Sequence, residues 1–171
     1  MTTFYTGKGD DGKTNMYGSR IEKDSLVLDI LGLLDELQTY LGICKSKYDN
    51  SEYKKLITVL QNQVFKIQAE IATRRVYINL ADIRFLEDAT DEHGKDIKID
   101  SFILTSSNPI SASLDYARAL ARKAERGYYI YLKEINPKAN VNSLKFLNRL
   151  SSCLFVLSKF FDTEKERVNY K

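Results

Sequence analysis

The sequence predicts an all-α protein built as an antiparallel bundle of five helices behind a glycine-rich N-terminal loop. Three observations predict it. Apolar residues recur at helical spacing through four long stretches and one short one. Only two prolines interrupt 171 residues. Strand and helix patterns do not alternate as a parallel sheet would require. Mostly short links between consecutive helices favour the up-and-down, ferritin-like arrangement. The length suits one domain over 1–171, with loop 1–24 and bundle 25–171.

The elements follow in order. Residues 1–24 hold Gly7, Gly9, Gly12 and Gly18, four of the eight glycines, and show no helical period. Thr2 to Tyr5 is at best a short strand. A helix is expected from Ser25 to Lys47, capped by Asp24 or Ser25, with Leu26, Ile30, Leu33, Leu34, Leu37 and Leu41 on its apolar face. Asn50-Ser51 opens a second, with Leu56, Leu60, Val64, Ile67 and Ile71 in step, ending near Arg75. A short third helix is expected over 80–92. The breaker-rich Thr105-Ser106-Ser107-Asn108-Pro109 precedes a fourth, from Ile110 to Glu134. Asn136-Pro137 ends it, and Asn140 or Asn142 caps a fifth that reaches Thr163.

Composition narrows the function classes. Apolar residues make up 43% and charged residues 29%, a globular balance that excludes disordered and fibrous chains. A net charge of +3 without a concentrated basic stripe argues against nucleic acid as partner. No apolar run approaches the roughly 18 residues of a membrane span. The N-terminus lacks a basic segment followed by an apolar one, so no signal peptide is expected. Cys44 and Cys153 fall in apolar helical patterns and read as core residues of a cytoplasmic protein. A single histidine, His93, speaks against a His-based metal site and against the paired motifs of di-metal bundles. The expected metal ligand set is none.

Gly7-Lys8-Gly9-Asp10-Asp11-Gly12-Lys13-Thr14 spells the phosphate-binding pattern G-x-x-x-x-G-K-T. Glycines let backbone N–H groups face phosphate oxygens, and lysines add charge. A P-loop domain also needs a buried strand before the loop and a helix behind it, and neither pattern is present. The polyphosphate chemistry survives without that fold, supported by Arg20 and Lys23. A solvated N-terminal segment is the alternative.

On the fourth helix, at about 100° per residue, Arg122, Glu125 and Tyr129 fall roughly +40°, −20° and +20° from Arg118. Arg126 flanks this stripe, and Leu114, Ala117, Ala121, Ala124 and Tyr128 form the adjoining apolar face. A solvated face of i,i+3 and i,i+4 pairs is the plain alternative. Asp35 borders the apolar face of the first helix and asks for an arginine partner, unless it points to solvent. Asn148 follows Phe146-Leu147 on the fifth helix, where an amide can read a ligand or serve the helix.

Taken together these motifs resemble the PduO-type ATP:cobalamin adenosyltransferases across nearly the whole chain. The matching blocks are Thr6 to Thr14, Gly18-Ser19-Arg20, Lys23-Asp24, Gly32 to Leu37, Ala117-Arg118, Arg122 to Arg126 and Phe146 to Ser151. The resemblance implies a trimer of five-helix bundles with active sites between subunits. It implies transfer of the 5′-deoxyadenosyl group of ATP to reduced cobalamin, with triphosphate leaving. Thr6, Gly7, Lys8, Gly9, Lys13, Thr14, Lys23, Arg122, Glu125, Arg126 and Asn148 would meet ATP or its Mg²⁺. Asp35 and Arg118 would pair beside the corrin, and Phe102 would close the lower face of cobalt. A reductase and a cobalamin-dependent acceptor enzyme are the partners this chemistry implies. The chain departs from the family pattern at Thr105 to Pro109, at Lys123, and at Asp115, where relatives often carry histidine.

A phosphotransferase or NTPase using the loop, and a non-catalytic carrier of nucleotide or corrinoid, remain the competing classes. Product analysis separates the first from adenosyl transfer: triphosphate marks adenosyl transfer, ADP or inorganic phosphate the other chemistry. For the reaction the resemblance implies, cations and N–H donors suit a departing polyanion, and no protein nucleophile is required because cobalt would supply it.

Overall fold

The computed structural model describes residues 4–99, 103–104, 108–162 and 168. The elements are strands β1 (Lys13–Met16) and β2 (Ser19–Glu22), then helices α1 (Leu26–Ser46), α2 (Ser51–Thr73), α3 (Leu80–Gly94), α4 (Pro109–Ile130) and α5 (Val141–Phe160). Tyr131–Ile135 prolongs α4 as a short π-helical segment. All five expected helices are present, each within a few residues of its expected ends.

The caps explain most of the boundaries. Asn50 accepts from Tyr53 N–H, Asn108 from Ser111 N–H and Asn140 from Asn142 N–H. Asn79 and Asp82 close a capping box on α3. Ser25 precedes α1 without a side-chain cap bond, so α1 starts where its apolar face begins.

The N-terminal segment differs from a plain loop. β1 and β2 pair antiparallel, Lys13 opposite Glu22 and Met16 opposite Ser19. The two-residue turn between them, Tyr17-Gly18, has φ of +54° and +77°. Paired positive φ is what a type I′ turn demands, and an L-residue such as Tyr17 pays about 1–2 kcal/mol for it. Among the described residues the chain is therefore mostly helical, with this one small hairpin.

Helices pack in the order α2, α1, α4, α5, α3, and Gln63 and Lys66 of α2 meet Asp82 of α3 to close the ring. Contacts fix the directions. On α1 and α4, Glu36 meets Lys123 and Tyr40 meets Tyr116, so the two run antiparallel. Asn108 and Ser111 at the start of α4 bond the end of α5, again antiparallel. Glu87 meets Arg149 and Gly94 lies against Val156, so α3 and α5 run parallel. Five consecutive up-down helices in such a ring must leave one parallel pair of neighbours. α1 and α4 approach closely at Gly127, where a Cβ would lie 2.7 Å from Leu33 Cδ1 and 2.8 Å from Ile30 Cδ1.

The core runs along this ring through Leu34, Leu37, Leu41, Ile57, Leu60, Val64, Ile67, Leu86, Leu114, Ala121, Phe146, Leu150 and Leu154. Cys44 and Cys153 are free and buried within it, as expected, and burial pushes their thiols up to about 12 and about 11. The Glu70 carboxylate is also buried. Glu70 Oε1 accepts from Tyr77 N–H and Ile78 N–H at 2.7 Å each and from Asn140 Nδ2 at 2.8 Å, while Oε2 accepts from Ser143 Oγ. Removing it strands several buried donors. Glu70→Ala should lower stability by about 3 kcal/mol and Glu70→Gln, which keeps one acceptor oxygen, by about 1. Urea unfolding at fixed protein concentration checks the ranking; equal midpoints for both variants and wild type would contradict it.

Candidate active site

The loop before β1 is tied down by its own side chains. Gly7 and Gly12 take φ of +65° and +79°, which a residue with a Cβ rarely adopts. Asp10 N–H donates to Gly7 O and Gly12 N–H to Gly9 O, so the backbone turns twice. Lys23 then stitches the loop to the hairpin: its N–H donates to Gly12 O at 2.9 Å and its Nζ to Gly9 O at 2.7 Å. Arg20 adds a second stitch, donating to Lys8 O at 2.8 Å and pairing with Asp11. Lys13 pairs with Glu22 across the strands at 2.8 Å. Thr6 Oγ1 accepts from Lys8 N–H, and Thr14 sits half-buried on β1.

Here the structure refines the expected phosphate inventory. Lys13 and Lys23 already have partners, whereas the exposed Lys8 ammonium has none among the described residues. The anion-binding potential of the loop thus lies in Lys8 and the turned backbone, with Lys23 as organiser.

The second cluster sits on α4 and α5. Asn148 Nδ2 donates to Glu125 Oε1 at 2.8 Å. Arg149 Nη1 donates to Asn148 Oδ1 at 2.7 Å, and its Nε meets Glu87 at 3.0 Å. This relay holds both Glu125 and Asn148, two expected site residues, in one place. Arg122 and Arg126 lie beside it, exposed, with no hydrogen bond or ion pair among the described residues. Two free guanidinium groups on one helical stripe, next to an oriented carboxylate and amide, form a ready site for a polyanion.

The expected Asp35–Arg118 pair does not form within the chain. Arg118 Nε donates instead to Asp115 Oδ1 at 2.7 Å, with Nη2 at 3.4 Å from Oδ2. Asp115 is buried and one helical turn away, so it is the nearer partner. Geometry also forbids the alternative. The face of α4 that meets α1 carries Tyr116, Lys123 and Gly127, roughly half a turn around the helix from Arg118. On α1 it is Glu36 that takes Lys123, and Asp35 stays exposed with no ion pair among the described residues.

Nor does one chain join the two clusters. Among the described residues, no hydrogen bond or ion pair links Thr6, Gly7, Lys8, Gly9, Lys13, Thr14 or Lys23 to Arg118, Arg122, Glu125, Arg126 or Asn148. Phe102 lies outside the described residues, as do Thr105 to Ser107. A cavity of about 670 Å³ between the ends of α2, α3 and α5 is lined by Tyr53, Phe85, His93, Phe160 and Phe161 and by none of the expected site residues. His93 bonds Ala89 O and packs on Phe160; among the described residues no group of three His, Cys, Asp or Glu could hold a metal.

In the sequence Asp115 stands out only as a departure from the family pattern, and Arg149 only as part of the block Phe146 to Ser151. The i,i+3 spacing of Asp115 and Arg118 was the readable signal for the first. The Glu87–Arg149 contact joins distant segments and had no local signal.

The chain matches the model of the cobalamin adenosyltransferase family over residues 4–161. It is 31% identical to the corrinoid adenosyltransferase PduO of Salmonella typhimurium, over 96% of this chain and 51% of that protein. It is 30% identical to a corrinoid adenosyltransferase of Citrobacter freundii, covering 95% of this chain and 97% of that one. The chain spans about half the length of the two PduO relatives it matches. Among solved structures, a phenylalanine-to-histidine variant of a PduO-type ATP:corrinoid adenosyltransferase from Lactobacillus reuteri, complexed with cobalamin and ATP, aligns with TM-score 0.83 at 26% identity, covering 92% of this chain and 90% of that one. An arginine-to-lysine variant complexed with ATP has the same fold, with TM-score 0.87 at 24% identity, covering 97% and 100%.

The Asp115–Arg118 contact has a measurable weight. Arg118 keeps some solvent access, so the pair is worth less than a fully buried one. Asp115→Ala should lower stability by about 1 kcal/mol and Asp115→Asn by less, since the amide oxygen still accepts. Thermal melting of both variants tests this order.

Proposed function

We propose that this chain, which belongs to the cobalamin adenosyltransferase family, moves the 5′-deoxyadenosyl group of ATP onto the cobalt of reduced cobalamin. The electron pair of Co(I) forms the bond to C5′, the C5′–O bond breaks, and triphosphate departs with that bonding pair. The observation that carries the reading is the pair of arginines without partners among the described residues, Arg122 and Arg126, beside the Asn148–Glu125 contact.

The chemistry fits these residues. Charge grows on the leaving triphosphate, so preorganised donors at the phosphates lower the barrier. Arg122 and Arg126 supply forked donors, and Lys8 with the backbone of Thr6 to Gly9 supplies the other side. Thr14, half-buried on β1, would add its hydroxyl. Mg²⁺ fits only as a companion of the triphosphate, because the described residues hold no ligand cluster of their own. Glu125, oriented by Asn148, is the carboxylate placed beside it.

The two clusters belong to different parts of one chain. That separation supports an active site between subunits of a homotrimer, the loop of one chain facing the α4 stripe of the next. Asp35 is exposed and available to such a neighbour. Phe102 would cover the lower face of cobalt, where a ring that donates no electrons favours the reduced metal. A reductase supplying Co(I) and an acceptor enzyme taking adenosylcobalamin complete the chemistry. No helix among the described residues is long and apolar enough to cross a membrane, and the free cysteines suit a cytoplasmic setting.

An anaerobic assay with reduced cobalamin, ATP and Mg²⁺ should show the Co–C bond by absorbance and triphosphate as co-product; ADP or inorganic phosphate instead would point to a phosphotransferase or NTPase. Arg122→Ala should cost about 2–4 kcal/mol of transition-state stabilisation, read from kcat/KM. Phe102→His should cut turnover sharply and leave ATP affinity intact; undiminished turnover would remove the assigned role.

A further inference from the structure

We infer that Tyr17 and Arg74 form a latch that positions the N-terminal hairpin, and with it the loop that takes ATP. The inference rests on the reading that residues Thr6 to Gly9 meet the triphosphate. Among the described residues, Tyr17 and Arg74 are the two non-glycine residues with positive φ, +54° and +58°. They touch each other. The Arg74 guanidinium lies over the Tyr17 ring, 4.5 Å from its centroid, and the Tyr17 hydroxyl donates to Ile71 O.

Both positions have easier occupants. A type I′ turn favours asparagine or glycine where Tyr17 stands, and a left-handed helix C-cap favours glycine where Arg74 stands. Backbone strain at two residues that meet is retained by something their side chains do together. What they do is join the hairpin to the end of α2. Arg74 N–H caps that helix on Glu70 O at 2.8 Å, so the guanidinium stands on a fixed base. Burial pushes the phenol up to about 12, with Tyr131 adding to the rise, so it stays a neutral donor.

The hairpin has other contacts with the bundle, but they lack direction. Met16 is buried in the core and Ile21 packs against it. Apolar burial holds the hairpin down without setting its angle. The loop cannot move apart from the hairpin, because Lys23 and Arg20 fasten Gly9, Gly12 and Lys8 to it. Tyr17 lies four residues from Lys13, about 13 Å along the strand, so a tilt of about 10° at the tip shifts the loop by about 2 Å. Displacements of that size degrade the placement of a reacting group severely. Tyr17 and Arg74 are positioning residues: neither is assigned a contact with substrate.

The test uses substitutions that suit the backbone while removing the latch. Tyr17→Asn and Arg74→Gly relieve the positive φ, and Tyr17→Phe removes only the hydroxyl. In the full chain, the first two should raise KM for ATP, and weaken the calorimetric affinity for ATP, by about tenfold. At saturating ATP, kcat should stay within about threefold of wild type. KM for cob(I)alamin and the melting temperature should hold, and Tyr17→Phe should fall between. Unchanged ATP affinity in both Tyr17→Asn and Arg74→Gly would overturn the latch. So would a joint rise of both KM values with a lower melting temperature, which marks a general structural role. Wild type that binds ATP but yields no adenosylcobalamin would sink the proposed activity and leave the latch to be decided by calorimetry alone. Wild type that binds no ATP would overturn both.

Discussion

The buried carboxylate of Glu70 fixes one whole end of the bundle. Its two oxygens gather the connector after α2, through Tyr77 and Ile78, and the start of α5, through Asn140 and Ser143. Tyr128 of α4 donates to Asn140 O, so the third neighbour is tied in as well. A buried charge is tolerated only when its lone pairs are satisfied, and here several donors converge on it. Everything that sits on this end inherits the order it imposes. That includes the C-cap of α2 at Arg74 and, through it, the hairpin.

The charges of the site fall into two groups once their partners are known. Lys13, Arg20, Lys23 and Arg118 are engaged with Glu22, Asp11, Gly9 O and Asp115. Arg122, Arg126 and Lys8 have no such partner among the described residues, and all three are exposed. Engaged cations shape the protein, and free cations attract the ligand. The distinction matters because a cation that must leave a carboxylate to meet a phosphate returns much of the gain as lost pairing. On the proposed reading, the triphosphate would therefore meet the α4 stripe most directly, with the loop contributing N–H groups and one lysine.

Much of this was legible in the sequence, for identifiable reasons. Asn50, Asn108 and Asn140 announce helix starts by local chemistry, and the apolar period announces the faces. The hairpin was not legible. Its strands are only four residues long, one of them carries Lys13 and Asn15, and its turn uses Tyr17 where asparagine would have been a signal. Within one chain Arg118 takes Asp115, and the reason is rotational: the α4 face that meets α1 holds Lys123 and Gly127, which leaves Asp35 out of its reach there. The Asn148–Glu125 contact needed the antiparallel packing of α4 on α5, which spacing along the chain does not encode.

The proposed reaction, in which the metal of the substrate is the nucleophile, leaves the protein little covalent work. No general base has to be tuned, and the buried cysteines, held protonated, offer no competing nucleophile. What remains is placement of a polyanion relative to an electron-rich metal, where tenths of an ångström count. In that setting, strain at Tyr17 and Arg74 is better placed than strain in the core. It lies where a small rotation of a short hairpin is amplified over its length, and its cost is borne by an end of the bundle that Glu70 already holds rigid.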